Sequence, residues 1–548
     1  MSTVGAIIID TLAAHGIDRV FCVPGESYLG LLDPLFGRQD MDTVVCRHES
    51  GAGFMAVADA RLTGRPGVAM VSRGPGASNA AIAVHTAQQD AVPLLLFVGQ
   101  VPLRDVRRDS FQEIDYGHMF GRIAKWTAEV TDPDRIQETL LRALQAATTG
   151  LPGPVVVAVP EDILTASTQG DVVRPQPRPQ SAPDVVSIRE VRELLSTARR
   201  PLVLAGSGID SGEARADLLA FLEAWELPAV VSFRRQDLLP NAHRLYAGDM
   251  GLANPQAQMN VLQETDLLLC IGARLSAITT QGYTWPRLVR PEMKLVHIHA
   301  DPAVIGTHFA SDVAIVCRPA VAIAALGTPD RTLPDRRAWV GRLGEQRAAI
   351  ARVRTFQVDD GLPFEEVVGL IGQHLPADAI VTVDAGTFGA PVYRVIPFRP
   401  PQRLLAPVSG AMGFGIPAAV AAGLREPGRT VVCFVGDGGL LMTGGELAVA
   451  LQRQLPIKVI VSENAVYGSI RIQQERGYPG RSVGTGFINP DLELIGKAYG
   501  ASVTRISTRA ALSRLPDLVS APGLQFIVVN TSVQAVLPGP DRIRQAAE

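Results

Sequence analysis

The sequence predicts an α/β protein built from three doubly wound parallel-sheet domains. Short, nearly uninterrupted apolar runs recur along it, among them Leu94-Leu-Leu-Phe-Val98, Leu267-Leu-Leu-Cys-Ile271 and Val431-Val-Cys-Phe-Val435. Strands covered by helices on both faces read this way, whereas half-solvated strands alternate apolar with polar. Segments of helical period lie between the runs, which is the alternation of a parallel sheet. A chain of 548 residues can hold roughly three to four domains, each with its own core.

Composition narrows the function classes. Hydrophobic residues make up 47% of the chain and aromatics only 5%. The formal net charge of −3 supplies no basic footprint for nucleic acid and no acidic tail. Cys22, Cys46, Cys270, Cys317 and Cys433 form no CxxC pair and mostly sit in apolar runs, so buried reduced thiols are expected. No apolar run reaches the roughly 20 residues of a membrane span. The N-terminus has no signal or transit character. A soluble cytoplasmic protein with neither nucleic-acid nor membrane partners is the expectation.

The first domain is expected over 1–165. A helix over 4–15, strands near 19–23 and 43–46, a helix over 49–63 and a strand over 67–71 open it. Arg47-His48-Glu49 stands where a strand ends and a helix begins. Glu49 either caps that helix, since acidic groups suit helix N-termini, or presents a carboxyl at the sheet edge. Val23-Pro24-Gly25-Glu26 is a tight strand-to-helix turn. Ser72 to Asn79 reads SRGPGASN, a turn whose glycines let a ligand approach the backbone closely. Phe111-Gln112-Glu113 and Lys125 follow, as surface residues or as pocket residues.

Residues 166–183, rich in Pro, Gln and Ser, read as an extended linker. The central domain, 184–330, enters a glycine turn at Gly206 and Gly208 and places Arg274 and Asp301 after later strands. A lone glycine turn is weak evidence for a dinucleotide. His297 and His299 alternate on a strand and share a face, where packing or edge exposure is expected over metal binding. A polar stretch over 327–334 and a charged helix over 336–352 lead to the third domain, 360–548, which repeats the first domain's pattern.

In that domain a strand runs into Gly436-Asp437-Gly438, a helix follows, and a second strand ends at Asn464. Asp437 and Asn464 thus stand at the carboxyl ends of parallel strands, where ligands of open α/β sheets collect. A Gly-rich turn opening a helix presents N–H groups to an anion. Carboxylate and amide oxygens suit Mg²⁺ or Ca²⁺. A metal ion clamped onto a diphosphate is the expectation.

Taken in order, these segments resemble the thiamine diphosphate (ThDP) enzymes, in their acetolactate synthase-like (acetohydroxyacid synthase large subunit-like) group. The carriers are RHESGAGFMAVADARLTGRPGV from Arg47, SRGPGASN beside the family's GPGATN, Phe111-Gln112-Glu113, GAMGFG from Gly410, and GDG with Asn464 placed 27 positions after Asp437. The resemblance spans essentially the whole chain. It implies the ThDP-binding fold: a pyrimidine domain, a central Rossmann-like domain and a diphosphate domain. It implies ThDP and Mg²⁺, with Asp437, Asn464 and the Val466 carbonyl as metal ligands. Gly25, Gly76, Asn79, Gly386, Thr387, Phe388, Gly410, Gly436, Gly438, Gly439, Tyr467, Gly468 and Ser469 would surround the cofactor. Glu49 would stand beside its aminopyrimidine and exchange a proton with the ring nitrogen, a task suited to a desolvated carboxyl. Met412 would wedge between the two cofactor rings. Gln112 would donate to a developing oxyanion. Phe111, Gln112, Lys125, Ser469 and Gln473 would line the substrate pocket.

The chemistry implied is decarboxylation of a 2-oxo acid, with ligation of the product to a second carbonyl. Simple non-oxidative decarboxylation, or another C–C lyase reaction, is the alternative. The implied assembly is a homodimer or homotetramer, with Glu49 from one subunit facing the GDG site of another. Several positions depart from the family. Glu463 stands where a second Asn is common, and Glu26 where a small residue is. Thr387 and Phe388 replace Gln and His. Ser469 and Gln473 replace the Met and Trp of biosynthetic enzymes, which implies a more polar pocket. FAD is the candidate ligand of the central domain, and Leu275-Ser276-Ala277-Ile278, in place of acidic and basic residues, counts against it.

Overall fold

The computed structural model describes residues 2–536 apart from 178 and 210, so the last twelve residues of the expected third domain lie outside the described residues. Three six-stranded parallel sheets carry the chain. The first holds β1 (Arg19–Cys22), β2 (Asp42–Val45), β3 (Gly67–Ser72), β4 (Leu94–Gln100), β5 (Trp126–Glu129) and β6 (Pro154–Pro160), in the order 2-1-3-4-6-5. The second holds β7 (Pro201–Ala205), β8 (Ala229–Ser232), β9 (Tyr246–Met250), β10 (Leu267–Ile271), β11 (Lys294–His299) and β12 (Val313–Val316), in the order 9-8-7-10-11-12. The third holds β13 (Ile380–Val383), β14 (Arg403–Leu405), β15 (Val431–Gly436), β16 (Lys458–Glu463), β17 (Ser502–Ile506) and β18 (Gln525–Asn530), in the order 14-13-15-16-18-17.

Counted from its own first strand, the third sheet repeats the first, 2-1-3-4-6-5, while the central sheet has the Rossmann order 3-2-1-4-5-6. Every pairing inside the three sheets is parallel. The apolar runs are buried on both faces, as the strands Val155–Val159 and Val431–Val435 show. Within the expected linker, Ser167–Thr168 pairs antiparallel with Ser2–Thr3.

The first and third domains share one hydrophobic core. Helix α1 (Glu49–Thr63) packs on α3 (Gly415–Arg425), with α2 (Arg73–Asp90) beside α1. The rings of Phe54 and Phe414 meet edge to face at 5.6 Å. Arg425 reaches back to Asp59 and Asp18, both at 2.8 Å. Helix α1 is therefore nearly all buried, because it is covered from both sides, and its Ala- and Gly-rich sequence permits that close packing. The central domain keeps its own core and is tied to its neighbours by polar contacts. Asp301 accepts the Leu151 N–H at 3.2 Å, and Arg403 pairs with Asp237 at 3.3 Å.

All five cysteines are free and buried. His297 and His299 are buried on the central sheet. His297 Nε2 lies 3.0 Å from the Ala273 carbonyl, and His299 Nδ1 accepts the Asp301 N–H. Burial pushes His299 down to about 4, so it packs as neutral imidazole. Among the described residues no helix is long and apolar enough to cross a membrane.

Candidate active site

In open sheets of this kind, ligands sit outside the carboxyl ends of the strands where the strand order reverses. In the first sheet the reversal falls between β1 and β3, and in the third between β13 and β15. The motifs fall at these two places.

At the first place, α1 begins directly after β2. His48 is its N-cap, and its ring accepts the Ser50 N–H at 3.2 Å. Glu49 is therefore free of the capping task. Its Oε2 instead accepts a hydrogen bond from Asn79 Nδ2 at 2.9 Å, from the first turns of α2. Gly76 lies beside it, and a Cβ there would stand 3.5 Å from Glu49 Oε1 and 3.1 Å from Val71. Gly25 closes against Ser72, whose side chain would overlap any added Cβ at 2.4 Å. The loop carrying Phe111 and Gln112 docks on the same edge, where the Gln112 carbonyl accepts the Gly74 N–H at 2.8 Å. Both side chains of that pair are exposed, Phe111 by 77%. Glu113 holds the loop's shape by accepting the N–H groups of Arg107 and Ser110.

Lys125 stands apart from these residues in the single chain. It precedes β5, at the opposite end of the sheet. Its ammonium donates to the carbonyls of Thr149 and Leu151 at 2.7 and 2.8 Å.

At the second place, α4 (Asp437–Thr443) starts at the end of β15. Asp437 is buried. Its Oδ2 accepts the N–H groups of Asn464 at 2.9 Å and Ala465 at 2.6 Å, and Asn489 Nδ2 at 2.9 Å. Its Oδ1 accepts only the Gly438 N–H, also at 2.9 Å, and so keeps lone-pair capacity. Asn464 Oδ1 accepts the Val466 N–H at 3.2 Å. Ala465 sits at φ +56, a left-handed backbone costly for alanine, and it turns the chain sharply between Asn464 and Val466. Asn489 Oδ1 is buried beside Asp437 without a partner. The Asp437 carboxylate, the Asn464 amide and the unpartnered Asn489 amide oxygen thus belong to one hydrogen-bonded cluster. Such an all-oxygen set fits a hard divalent cation. Glu463 turns outward to Arg505 at 2.5 Å, away from this cluster.

The turns around this point leave no room for side chains. A Cβ on Gly438 would lie 2.6 Å from the Tyr467 ring, and one on Gly436 3.0 Å from Phe388. One on Gly439 would lie 3.0 Å from the Asp384 carboxyl carbon, and one on Gly468 2.7 Å from Thr387 Oγ1. The turn over 384–388, the GDG turn and the 464–468 turn are thereby packed together. Gly386 packs on the Phe388 ring, which meets Phe364 edge to face at 6.2 Å.

Met412 lies half-buried in a turn between Gly410 (φ +72) and Gly413 (φ +84). Asp384 fixes that turn by accepting the N–H groups of Gly413 at 2.9 Å and Gly415 at 3.0 Å. Thr443 donates to the Gly413 carbonyl at 2.7 Å. Burial pushes the Asp384 carboxyl up to about 6 despite these donors.

Helix α5 (Gly468–Gly477) carries Ser469 and Gln473 into a cleft of about 550 Å³ between the central and third domains. Gly386, Thr387, Phe388 and Gly410 line the same cleft. The structure therefore joins cofactor and substrate candidates of the third domain in one concavity. In the central domain, Gly206 and Gly208 pack against Ala273 and Gly272, Arg274 donates to the Gln89 carbonyl, and Asp301 caps Ala303 as well as holding Leu151.

Three residues escaped the sequence reading: Asp384, Asn489 and Glu446. Glu446 is 1% exposed and accepts the N–H groups of Arg47 and His48, immediately before Glu49. Each acts through main-chain groups or partners far along the chain. Only Asp384, an acid between an apolar strand and a glycine turn, left a local trace.

Three family models match the chain. They are described as thiamine pyrophosphate enzyme, N-terminal TPP binding domain, over residues 2–119; central domain, over 188–326; and C-terminal TPP binding domain, over 384–529. The acetolactate synthase isozyme 1 large subunit of Escherichia coli (strain K12) is 30% identical over 541 residues, covering 96% of this chain and 93% of that one. The acetolactate synthase large subunit of Corynebacterium glutamicum is 30% identical over 514 residues, covering 91% and 82%. The acetolactate synthase large subunit of Lactococcus lactis is 29% identical over 513 residues, covering 92% and 88%.

Proposed function

The chain belongs to the thiamine diphosphate-dependent enzymes, in their acetolactate synthase-like group, and from that premise we propose that it decarboxylates a 2-oxo acid and ligates the product to a second carbonyl. The observation that carries the reading is Asp437. Its carboxylate is fixed at the end of β15 by the N–H groups of Asn464 and Ala465, with Oδ1 left to coordinate.

Asp437, Asn464 and the Val466 carbonyl would hold Mg²⁺, with Asn489 Oδ1 as a neighbouring acceptor. When bound, ThDP supplies the electron sink that makes loss of CO₂ feasible. The chain's own residues supply the rest. Asn79 orients Glu49 by holding Oε2, and the remaining carboxyl oxygen, Oε1, takes up and returns a proton. Asp384 and Thr443 hold the turn that presents Met412. Gly436, Gly438 and Gly439 let the surrounding turns pack closely at the end of β15, where main-chain N–H groups would meet a diphosphate. Gln112 offers a donor to developing negative charge.

Glu49, Asn79 and Phe111 are all at least partly open to solvent in the single chain. A second copy covering them would desolvate the carboxyl, which supports a homodimer with sites between subunits. Simple decarboxylation is favoured by one observation: Ser469 and Gln473 make the cleft more polar than Met and Trp would. The test is to incubate the protein with ThDP, Mg²⁺ and a panel of 2-oxo acids including pyruvate, measuring CO₂ and C–C products. Acetolactate supports ligation. Free aldehyde alone supports the second reading, and no CO₂ from any member overturns both.

A further inference from the structure

The cleft between the central and third domains carries more positive charge than its carboxylates offset. Arg234, Arg354, Arg394 and Arg476 line it against Asp249 and Glu365. Glu365 is committed to Arg354 at 2.6 Å. Among the described residues, no carboxylate is ion-paired to Arg234, Arg394 or Arg476, and of the carboxylates that line the cleft only Asp249 is left to offset these three guanidinium groups.

Arg234 makes the imbalance costly. It is 4% exposed, its Nε has no partner, and a guanidinium N–H goes only to the Pro407 carbonyl. The rings of Phe233 and Tyr393 flank it, at 4.6 and 5.4 Å from the guanidinium carbon. Asp384 and Asp90 act on it electrostatically from beyond ion-pair distance, so this buried cation has no carboxylate in contact, and an anion arriving in the cleft supplies one. Helix α5 adds the second observation. Ser469, Ile472, Gln473 and Arg476 recur at helical spacing and all line the cleft, so the helix presents one face, polar except at Ile472, that ends on a cation. The same concavity contains Gly386, Thr387 and Gly410.

We propose that this cleft takes a 2-oxo acid bearing a second oxyanionic group, held by Arg394 and Arg476, with Arg234 supplying positive potential from the wall. The proposal rests on the reading of Ser469 and Gln473 as substrate-pocket residues and names the substrate class of that site. Polar replacements on α5 then make sense together. They remove apolar surface that would oppose a charged tail, and Arg476 supplies its partner one turn further on.

The test is equilibrium titration of the full chain with matched probes before ThDP is added, so that no turnover occurs. 2-Oxoglutarate, oxaloacetate and 3-phosphonopyruvate are compared with 2-oxopentanoate, which keeps the 2-oxo acid and lacks the second charge. At least one dianion is expected to bind ~10-fold or more tightly than 2-oxopentanoate, the yield of one or two charge-assisted hydrogen bonds. Arg476→Gln and Arg394→Gln, both on side chains that reach solvent, are expected to erase that preference while leaving ThDP–Mg²⁺ affinity unchanged. Equal affinity for all four probes overturns the proposal, as does a preference that survives both substitutions. A parallel loss of ThDP affinity in the variants also overturns it, by assigning the arginines to the cofactor. Because the readout is binding, absence of CO₂ in the activity assay sinks the proposed reaction without deciding this question.

Discussion

Glu446 Oε1 accepts the main-chain N–H of His48 at 2.9 Å, across 398 residues of sequence. The contact joins the segment just past the GDG helix to the residue before Glu49. Glu446→Ala leaves the N–H groups of Arg47 and His48 without partners, at about 1–3 kcal/mol each, so a clear drop in melting temperature is expected. Glu446→Gln keeps an acceptor oxygen and is expected to fold nearly as well. Burial pushes Glu446 up to about 7 from its ordinary 4.5. Between those values the native state holds a proton that the unfolded chain has lost. Stability from this group therefore falls as pH rises from 4.5 to 7, by up to about 1.4 kcal/mol per pH unit, and is level outside that window. Melting curves from pH 4.5 to 8 should show a flatter profile for Glu446→Gln than for the parent. Identical profiles would remove Glu446 from this role.

Glu49→Gln is expected to bind ThDP–Mg²⁺ normally and to lose ~10²–10⁴-fold in turnover, the range of one acid–base group. Asn79→Ala, which only frees Oε2, should cost less and shift the pH–rate profile. The measurement is kcat against pH with ThDP affinity as the control. A Glu49→Gln enzyme of parental kcat would refute the assignment.

Asp437→Asn keeps one acceptor for the Asn464 and Ala465 N–H groups but loses the charge. ThDP affinity in the presence of Mg²⁺ should fall by at least the ~10–100-fold known for losing a group that merely supports a metal site. Asn489→Ala should show a smaller loss of the same kind. Calorimetry with ThDP at varied Mg²⁺ measures both, and circular dichroism checks that the fold is kept.

Gly438→Ala places a methyl group 2.6 Å from the Tyr467 ring. The ring must move, and with it the turn that carries Asn464 and Val466. Cofactor affinity should drop while thermal stability without cofactor changes little. Tyr467→Leu in the same chain should restore part of the affinity, and no restoration would mean that the ring is not the obstacle.

Much of this architecture was legible in the sequence. Fully apolar strands announced parallel sheets because burial on both faces leaves no polar alternation. The spacing of Asp437 and Asn464 announced neighbouring strand ends because β15 and β16 are consecutive in sequence and adjacent in the sheet. Residues that work by reaching across domains left no such trace. Glu446 and Asn489 look like ordinary polar residues until the fold brings main-chain N–H groups or a carboxylate to them. Lys125 shows the complementary limit. A local likeness to a motif says nothing about which end of a strand a side chain occupies, and the Thr149 and Leu151 carbonyls settle that only in three dimensions.

The core shared by the first and third domains also bears on how the chain is made. Arg425 and Asp59, which close that core at its rim, are 366 residues apart. At ribosomal speeds of about 5–20 residues per second, the helix that begins at Glu49 waits roughly 20–70 s for its second covering. During that interval an Ala- and Gly-rich apolar surface is open at the ribosome. Holding factors that shield nascent chains would find their purchase there, and a fragment ending before residue 415 would carry that open face permanently.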